Sequence, residues 1–254
     1  MTEQIRTPAR RRRKGRAGVA VLLLLALAAA AVLCSPARFR KRVYVELSSL
    51  RYPDDVLALA RSNPDALDYV IGWPEGIRGD YDPAEIDLSA ELADGGVPLL
   101  LQWDERWGYA PYGTNVMGLA GCAPTCLSMA VLGLRGDAGA NPLAVARYSE
   151  SQGWYVPGVG TAWDLMTEGA AHYGLRAERL EPTRENMLAA LDGGGLLIAS
   201  MLPGDFTSAG HFIVISGYES EGFRVLDPNS PTRSGQLWGY SVLKDQLAAV
   251  WVYL

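Results

Sequence analysis

The apolar pattern of this chain changes at the glycine run that follows Asp192. Before that run, apolar residues recur at helical spacing in four segments, at 123–134, 141–150, 161–173 and 183–192. After it come short runs rich in β-branched and aromatic residues, separated by Gly, Pro or Asp. These strand-like runs are "GLLIASML", "HFIVISGYE", "GFRVLDP" and "AVWVYL". Helices first and antiparallel strands second predict an α+β fold.

The N-terminal part contains an apolar run without charge or proline at residues 18–34, between two basic flanks. Seventeen residues is the lower limit for a helix that spans a bilayer, so the run predicts a transmembrane signal anchor. A cleavable signal peptide, followed by secretion, is the competing interpretation, because residues 28–31 are alanines that could serve cleavage. More Lys and Arg precede the run than follow it, which predicts a basic cytoplasmic arm at residues 1–17. We therefore expect a single-pass protein of the cell membrane, with the rest of the chain extracytoplasmic.

The remaining 212 residues are strongly acidic, since residues 43–254 carry 12 Lys and Arg against 27 Asp and Glu. Nucleic-acid binding needs a surplus of cations, so this balance predicts no nucleic-acid partner. Cys122 and Cys126 are the only cysteines in this part, too few for a fold stapled by disulfides. Two cysteines and two histidines also suggest no zinc site, and nothing in the sequence implies a metal or organic cofactor.

Two short helices are predicted within residues 52–73, where Pro53 and Pro64 stand at positions typical of a first helical turn. The turn-rich stretch "PEGIRGDYDP" follows them. We interpret residues 43–95 as a helical prelude and residues 97–254 as the main domain.

The stretch "GLAGCAPTCLSMA" places Cys122 directly before a predicted helix. The first N–H groups of a helix have no internal partner and carry partial positive charge, which stabilises a thiolate. Pro124 suits a first helical turn, and Gly121 permits close backbone approach. Cys122 is therefore a candidate nucleophile. Cys126 lies one turn further on and is interpreted as a buried core residue, while a resolving thiol or an alternative nucleophile stays open.

A cysteine nucleophile needs a base, and the chain has two histidines. His172 is explained by its place near the end of a predicted helix. His211 opens a predicted strand, and a hairpin of residues 211–219 and 222–227 would bring Asp227 beside it. A carboxylate there can hold the imidazole in the useful tautomer. Turn formation alone also explains these residues, and Asn229 remains an alternative orienting group.

Gln102 lies in the apolar and aromatic stretch "LLLQWDERW". Its amide could donate to a developing oxyanion together with the backbone N–H of Cys122, although a surface glutamine is the simpler interpretation. Several tryptophans are either core residues or the lining of a substrate groove. They are Trp103, Trp107, Trp154, Trp163 and Trp238.

Four segments together resemble the peptidase C39-like domain family, a papain-like cysteine peptidase group. They are "VPLLLQWDERWGYAPYG", "GCAPTCLSMAVLGL", "GHFIVISGYE" and "RVLDPNS", and the resemblance covers residues 97 to about 254. It implies a papain-like fold, with the nucleophilic cysteine at the N-terminus of a helix packed on a C-terminal antiparallel sheet. The chain departs from the family pattern at Ala123, where glycine is usual, and at Cys126, where serine is usual.

The resemblance also implies roles for the candidate residues. Cys122 corresponds to the nucleophile, His211 to the general base, Asp227 to the residue that orients the histidine, and Gln102 to the oxyanion-hole glutamine. Together with the anchor predicted at residues 18–34, it implies a membrane-anchored cysteine peptidase, or a related thiol hydrolase, that acts on a peptide or protein by acyl transfer. A non-catalytic C39-like module that binds peptide or cell-wall material is the alternative. A thiol redox or transferase protein is a third hypothesis, although the C-x-x-C spacing of thioredoxin-like proteins is missing.

Overall fold

The structure of this 254-residue chain is a computed structural model that describes residues 21–22, 24–28, 30–31, 35–93 and 95–254. The basic arm predicted at residues 1–17 lies outside the described residues.

The predicted membrane anchor at residues 18–34 requires correction. Within the described residues, no helix combines the length and the apolar character that crossing a bilayer requires. The helix that follows the run begins only after Pro36 and contains Arg38, Arg40, Lys41 and Arg42, so it cannot extend an apolar span. The single-pass anchor, and the cell-membrane location built on it, are therefore wrong as predictions. Residues 18–20, 23, 29 and 32–34 of the run lie outside the described residues.

The prelude contains three helices, α1 (Ala37–Leu47), α2 (Asp54–Ser62) and α3 (Leu67–Gly76). The pair α2 and α3 was predicted, whereas α1 begins inside the stretch interpreted as the basic flank of a membrane span. Two of its cations instead form ion pairs within the prelude: Arg38 contacts Asp65 at 2.9 Å and Lys41 contacts Asp68 at 2.6 Å. We therefore take the prelude as residues 37–93.

Three longer helices follow in the main domain, α4 (Cys122–Arg135), α5 (Pro142–Ser151) and α6 (Arg184–Asp192). All three were predicted. The end of α4 has a local cause, because Gly136 there adopts a φ of 65°, which glycine accepts without strain. The helix predicted at 161–173 is replaced by a π-helical turn at Leu165–Gly169 and a short helix at Ala170–His172.

A six-stranded antiparallel sheet forms the C-terminal part. Its strands are β1 (Ala177–Leu180), β2 (Leu196–Met201), β3 (His211–Glu219), β4 (Gly222–Leu226), β5 (Leu237–Trp238) and β6 (Leu247–Tyr253). Their spatial order is β1-β6-β2-β3-β4-β5. The predicted hairpin of β3 and β4 forms.

Short elements connect these parts. The single helical turns are Ser49–Arg51, Pro64–Ala66, Pro83–Glu85, Ser89–Ala93, Met117–Ala120, Ala138–Ala140, Pro231–Ser234, Tyr240–Leu243 and Lys244–Gln246. Two-stranded hairpins pair Pro111–Tyr112 with Asn115–Val116 and Tyr155–Val156 with Gly160–Thr161.

The sheet is covered on both faces, so β2 is buried along its whole length and β3 over its first five residues. On one face, Ile198 and Val214 belong to the same core cluster as Leu127 of α4. On the other face, Ile213 belongs to the cluster that contains Met187 of α6. Helices against a C-terminal antiparallel sheet confirm the predicted α+β class. The start of α4, the start of β3 and the end of β4 lie at the same end of the helix-covered sheet.

Candidate functional site

Cys122 is the first residue of α4, is half-buried and is a free thiol. Gly121 precedes it, and a Cβ atom there would lie 2.5 Å from the carbonyl oxygen of Met117. Glycine is therefore required for this close approach. The hydroxyl of Thr125 donates to the carbonyl of Gly121 at 2.7 Å and fixes the first turn of the helix. The chain thus holds one sulfur at the beginning of a helix and partly open to solvent.

Cys126 lies one turn further into α4 and is fully buried in the main core. Burial raises the pKa of its thiol well above the usual value, and the negative charges of Cys122 and Asp227 add to the effect. Cys126 is also a free thiol. It therefore packs as an apolar residue, which confirms the core interpretation.

His211 is the first residue of β3, a central strand of the sheet rather than an edge strand, and only 6% of it is exposed. Its Nε2 atom lies 2.8 Å from Oδ1 of Asp227. Asp227 follows β4 directly and is fully buried. The hairpin register therefore brings together two side chains that stand 16 residues apart.

Asp227 is held by several donors at once. Its Oδ2 accepts from Nε of Arg233 at 2.5 Å, and its Oδ1 accepts from the backbone N–H of Asn229 at 2.8 Å. Burial alone would raise the pKa of Asp227, but the charge and hydrogen bond of His211, with those of Arg233, hold it below the usual value. Asp227 is therefore a carboxylate near neutral pH. The side chain of Asn229 accepts from Asn63 instead of contacting the histidine.

The ionisation of His211 follows from these neighbours. Burial would lower the pKa of its imidazole, whereas the charge of Asp227, the hydrogen bond to Asp227 and a hydrogen bond to Cys122 raise it to about 9. His211 is therefore cationic near neutral pH. Because Asp227 is ionised and bound to Nε2, that nitrogen carries a proton and donates. The hydrogen bond between His211 and Cys122 is therefore made by the other ring nitrogen, Nδ1.

Gln102 is buried, with 4% of its surface exposed, and its Nε2 donates to the carbonyl oxygen of Gly118 at 2.9 Å. The opposite amide orientation would set two carbonyl oxygens against each other. Its Oε1 is buried without a hydrogen-bond partner among the described residues. The backbone N–H of Gln102 donates to Pro228 at 2.7 Å, which ties this segment to the chain just after Asp227.

Cys122 and His211 line two cavities, which otherwise have mostly different walls. The larger, about 460 Å³, is lined by the hairpin at 155–161 and by Trp163, which is 43% exposed. The smaller, about 330 Å³, is lined by Gln102, by the loop at 204–210 and by residues of the prelude. The pair is therefore accessible from both cavities.

The other candidates have different surroundings. The His172 ring stacks on that of Tyr148 with centroids 3.8 Å apart, and it lines neither cavity. Of the tryptophans proposed for a groove, Trp163 lines the larger cavity, whereas Trp107 is fully buried. In the described part of the chain, no three His, Cys, Asp or Glu side chains cluster as ligands of a metal ion.

Sequence comparison supplies the family. The profile of the Peptidase_C39 like family matches residues 95–254, which is more than half of the chain. The chain belongs to this family. Residues 95–254 are therefore a cysteine peptidase-like domain of a hydrolase family, and the resemblance inferred from the four sequence segments is confirmed.

A solved structure named as a C39-like peptidase from Bacillus anthracis is also similar. The similarity covers 62% of this chain and 94% of that chain, at 14% sequence identity and a TM-score of 0.41. No curated protein matches the chain. The family assignment rests on the sequence match alone.

Three residues that hold Asp227 or the segment just after it were missed from the sequence, namely Arg233, Asn63 and Asp65. The run "NSPTRS" contains a helix-start signal, since Ser230 can cap and Pro231 suits a first turn, and that signal would have placed Arg233 near Asp227. Asn63 and Asp65 lie more than 160 residues from their partners. Local patterns carry no information about such contacts.

Proposed function

We propose that this chain is a cysteine peptidase, or a related thiol hydrolase, that acts by acyl transfer through Cys122, His211 and Asp227. The observation that carries the proposal is the unbroken line of contacts from a sulfur at a helix start, through a buried imidazole, to a buried carboxylate. A binding module has no need for all three groups in contact.

The first step is attack by sulfur. In the resting protein, Nδ1 of His211 already holds the proton of Cys122, and the thiolate Sγ bonds to the carbonyl carbon of the substrate. The imidazolium that results is stabilised by Asp227, which stays ionised throughout. The high pKa of His211 favours this transfer in the resting protein.

The oxyanion that forms needs donors. We assign this role to the backbone N–H of Cys122 and to the amide of Gln102. One N–H of that amide already donates to the carbonyl oxygen of Gly118. The amide nitrogen carries a second N–H, and this is the group offered to the oxyanion.

Collapse of the tetrahedral intermediate breaks the carbon–nitrogen bond. The proton on His211 Nδ1 passes to the leaving amine, and the acyl group stays on Cys122 as a thioester. Water then attacks the thioester, gives its proton to His211 and releases the acid, which restores the thiolate. No metal or organic cofactor enters this sequence of steps.

A peptide or protein substrate suits the cleft, because two cavities extend in different directions from the reacting pair. An extended chain can cross Cys122 with residues on both sides of the scissile bond. The wall formed by Trp163 and the hairpin at 155–161 offers apolar surface on one side.

The test is cleavage of a complex peptide mixture by the full chain, with products identified by mass spectrometry. We expect cleavage that disappears in Cys122→Ala and persists in the matched control Cys126→Ala. Cleavage that survives Cys122→Ala would contradict the proposal. Binding of peptides without any cleavage would favour the alternative of a binding module.

A further inference from the structure

We propose that the prelude takes part in catalysis, because Asn63 and Asp65 position the loop that carries Asp227. We call residues 227–233 the Asp227 loop. The inference rests on the proposed function, and it concerns two residues outside the segment that matches the family.

Asn63 holds the first half of the Asp227 loop. It is 5% exposed, and its Nδ2 donates to the backbone oxygen of Asn229 at 2.5 Å and to Oδ1 of the same residue at 3.0 Å. The backbone N–H of Asn229 in turn donates to Oδ1 of Asp227 at 2.8 Å. This is the carboxylate oxygen that His211 contacts, so Asn63 is two hydrogen bonds removed from it.

Asp65 holds the second half. Its Oδ2 accepts from the hydroxyl of Ser230 at 3.0 Å and from the backbone N–H of Thr232 at 3.2 Å, and its Oδ1 accepts from the Thr232 hydroxyl at 3.0 Å. Burial would raise the pKa of Asp65, but these bonds and the charge of Arg38 keep it below the usual value. Asp65 is therefore a carboxylate, and only 7% of its side chain is exposed.

The Asp65 contacts reach the triad through Arg233. The Ser230 hydroxyl that donates to Asp65 also accepts from the backbone N–H of Arg233 at 3.1 Å. The side chain of Arg233 then donates to Oδ2 of Asp227. Both oxygens of Asp227 are thus oriented by groups that the prelude holds.

Buried polar contacts of this kind fix the orientation of the groups they hold, and add little to the stability of the fold. A buried carboxylate must be desolvated, and the cost is offset only by well-aligned donors, so such a group contributes little net stability. Where the prelude serves packing, it uses apolar and aromatic contacts, as where Tyr69 stacks on Tyr109 with centroids 4.5 Å apart. The Asp227 loop is held differently, as alignment of a catalytic group requires.

The test compares three isosteric variants in the full chain. Asp65→Asn removes the charge and one hydrogen-bond acceptor. Asn63→Asp replaces the Nδ2 donor with a carboxylate oxygen that faces the two oxygens of Asn229. Asp68→Asn is the matched control, because Asp68 is exposed and pairs with Lys41 on the same prelude. Two readouts are used: kcat and KM on a peptide that the wild type cleaves, and the titration of the His211 imidazole by NMR.

We expect Asp65→Asn and Asn63→Asp to lower kcat by about tenfold with KM nearly unchanged, since misalignment affects the transition state most. The pH at which His211 titrates should fall in both, because Asp227 supports its charge less well. Asp68→Asn should leave kcat, KM and the titration as in the wild type. Thr232→Val, a milder change, should shift the titration in the same direction by less, which keeps the inference testable should either stronger variant unfold.

An unchanged His211 titration in Asp65→Asn and Asn63→Asp would overturn the inference, as would a rise in KM at constant kcat. The titration needs no substrate, so it distinguishes the two proposals. A wild type without hydrolysis contradicts the proposed function, whereas the titration still decides whether the prelude controls the histidine.

Discussion

The family domain at residues 95–254 and the prelude both contact the Asp227 loop, but they contribute different groups. Cys122, His211 and Asp227 belong to the family domain. The prelude supplies no reactive group to the proposed triad, and it contacts the loop through hydrogen bonds from Asn63 and to Asp65. The family match covers the residues of the proposed triad, whereas the contacts of Asn63 and Asp65 that hold the Asp227 loop come from outside it.

The two regions are also packed differently. The family domain has cores on both faces of its sheet, whereas the prelude helices share one core with Tyr109 and Val116 of the domain, and Leu88 of the prelude joins the main core of the domain. The prelude core is therefore continuous with the domain beside the cleft. We expect the two regions to unfold in one transition.

The largest effect should come from the family domain. Cys122→Ala removes the nucleophile, so activity should fall by at least about a thousandfold, measured as initial rates of peptide cleavage. Cys126→Ala, one turn away in the same core helix, should retain most of the activity. A large residual activity in Cys122→Ala would mean that the chemistry lies elsewhere.

A smaller but still severe effect is expected at Asp227. Asp227→Asn keeps the shape of the side chain but removes the charge that supports the imidazolium, so kcat should fall by about a hundredfold or more. The loss should exceed the tenfold loss expected for Asp65→Asn, because Asp227 touches His211 and Asp65 acts through the loop. Equal losses of kcat in the two variants would contradict the view that Asp227 acts directly on His211 and Asp65 only through the loop.

Gln102 should affect turnover without affecting the reactivity of the thiol. Gln102→Ala removes one oxyanion donor, so kcat should fall by about a hundredfold. The rate at which an alkylating reagent labels Cys122 should stay the same, because the sulfur and His211 keep their contacts. A parallel loss of labelling would show that Gln102 supports the thiol itself rather than the oxyanion.

The smallest effect concerns stability and pH. The pKa of His211 is raised from the usual 6.5 to about 9 in the folded protein. Its stabilising contribution is therefore fully present below pH 6.5 and is lost as the pH rises through about 9. Urea unfolding between pH 7 and 10 should show this decline, and His211→Gln should flatten it. An equal decline in both proteins would assign the effect to other groups.

Sequence patterns predicted most of what is local in this molecule. The start of α4 at Cys122, the hairpin of β3 and β4 and both prelude helices α2 and α3 follow from periodicity, capping residues and turn residues. The π-helical turn at Leu165–Gly169 was missed, because apolar periodicity predicts a helix there without distinguishing a π-helical turn from an α-helix.

The long-range contacts could not be predicted in the same way. Charge near an apolar run suggested a flank of a membrane span, whereas Arg38 and Lys41 pair with carboxylates of the prelude. Nothing in the sequence near Asn63 or Asp65 points to the Asp227 loop. Their partners are fixed only when the prelude packs on the domain.

The most direct test of the account is the pH dependence of Cys122 alkylation, followed by mass spectrometry in the full chain and in His211→Ala. The account predicts rapid labelling of Cys122 near neutral pH in the wild type, with buried Cys126 unlabelled, and labelling at least about tenfold slower in His211→Ala. The same slow rate in both proteins, at every pH, would contradict the pairing of sulfur and imidazole on which the proposed function rests.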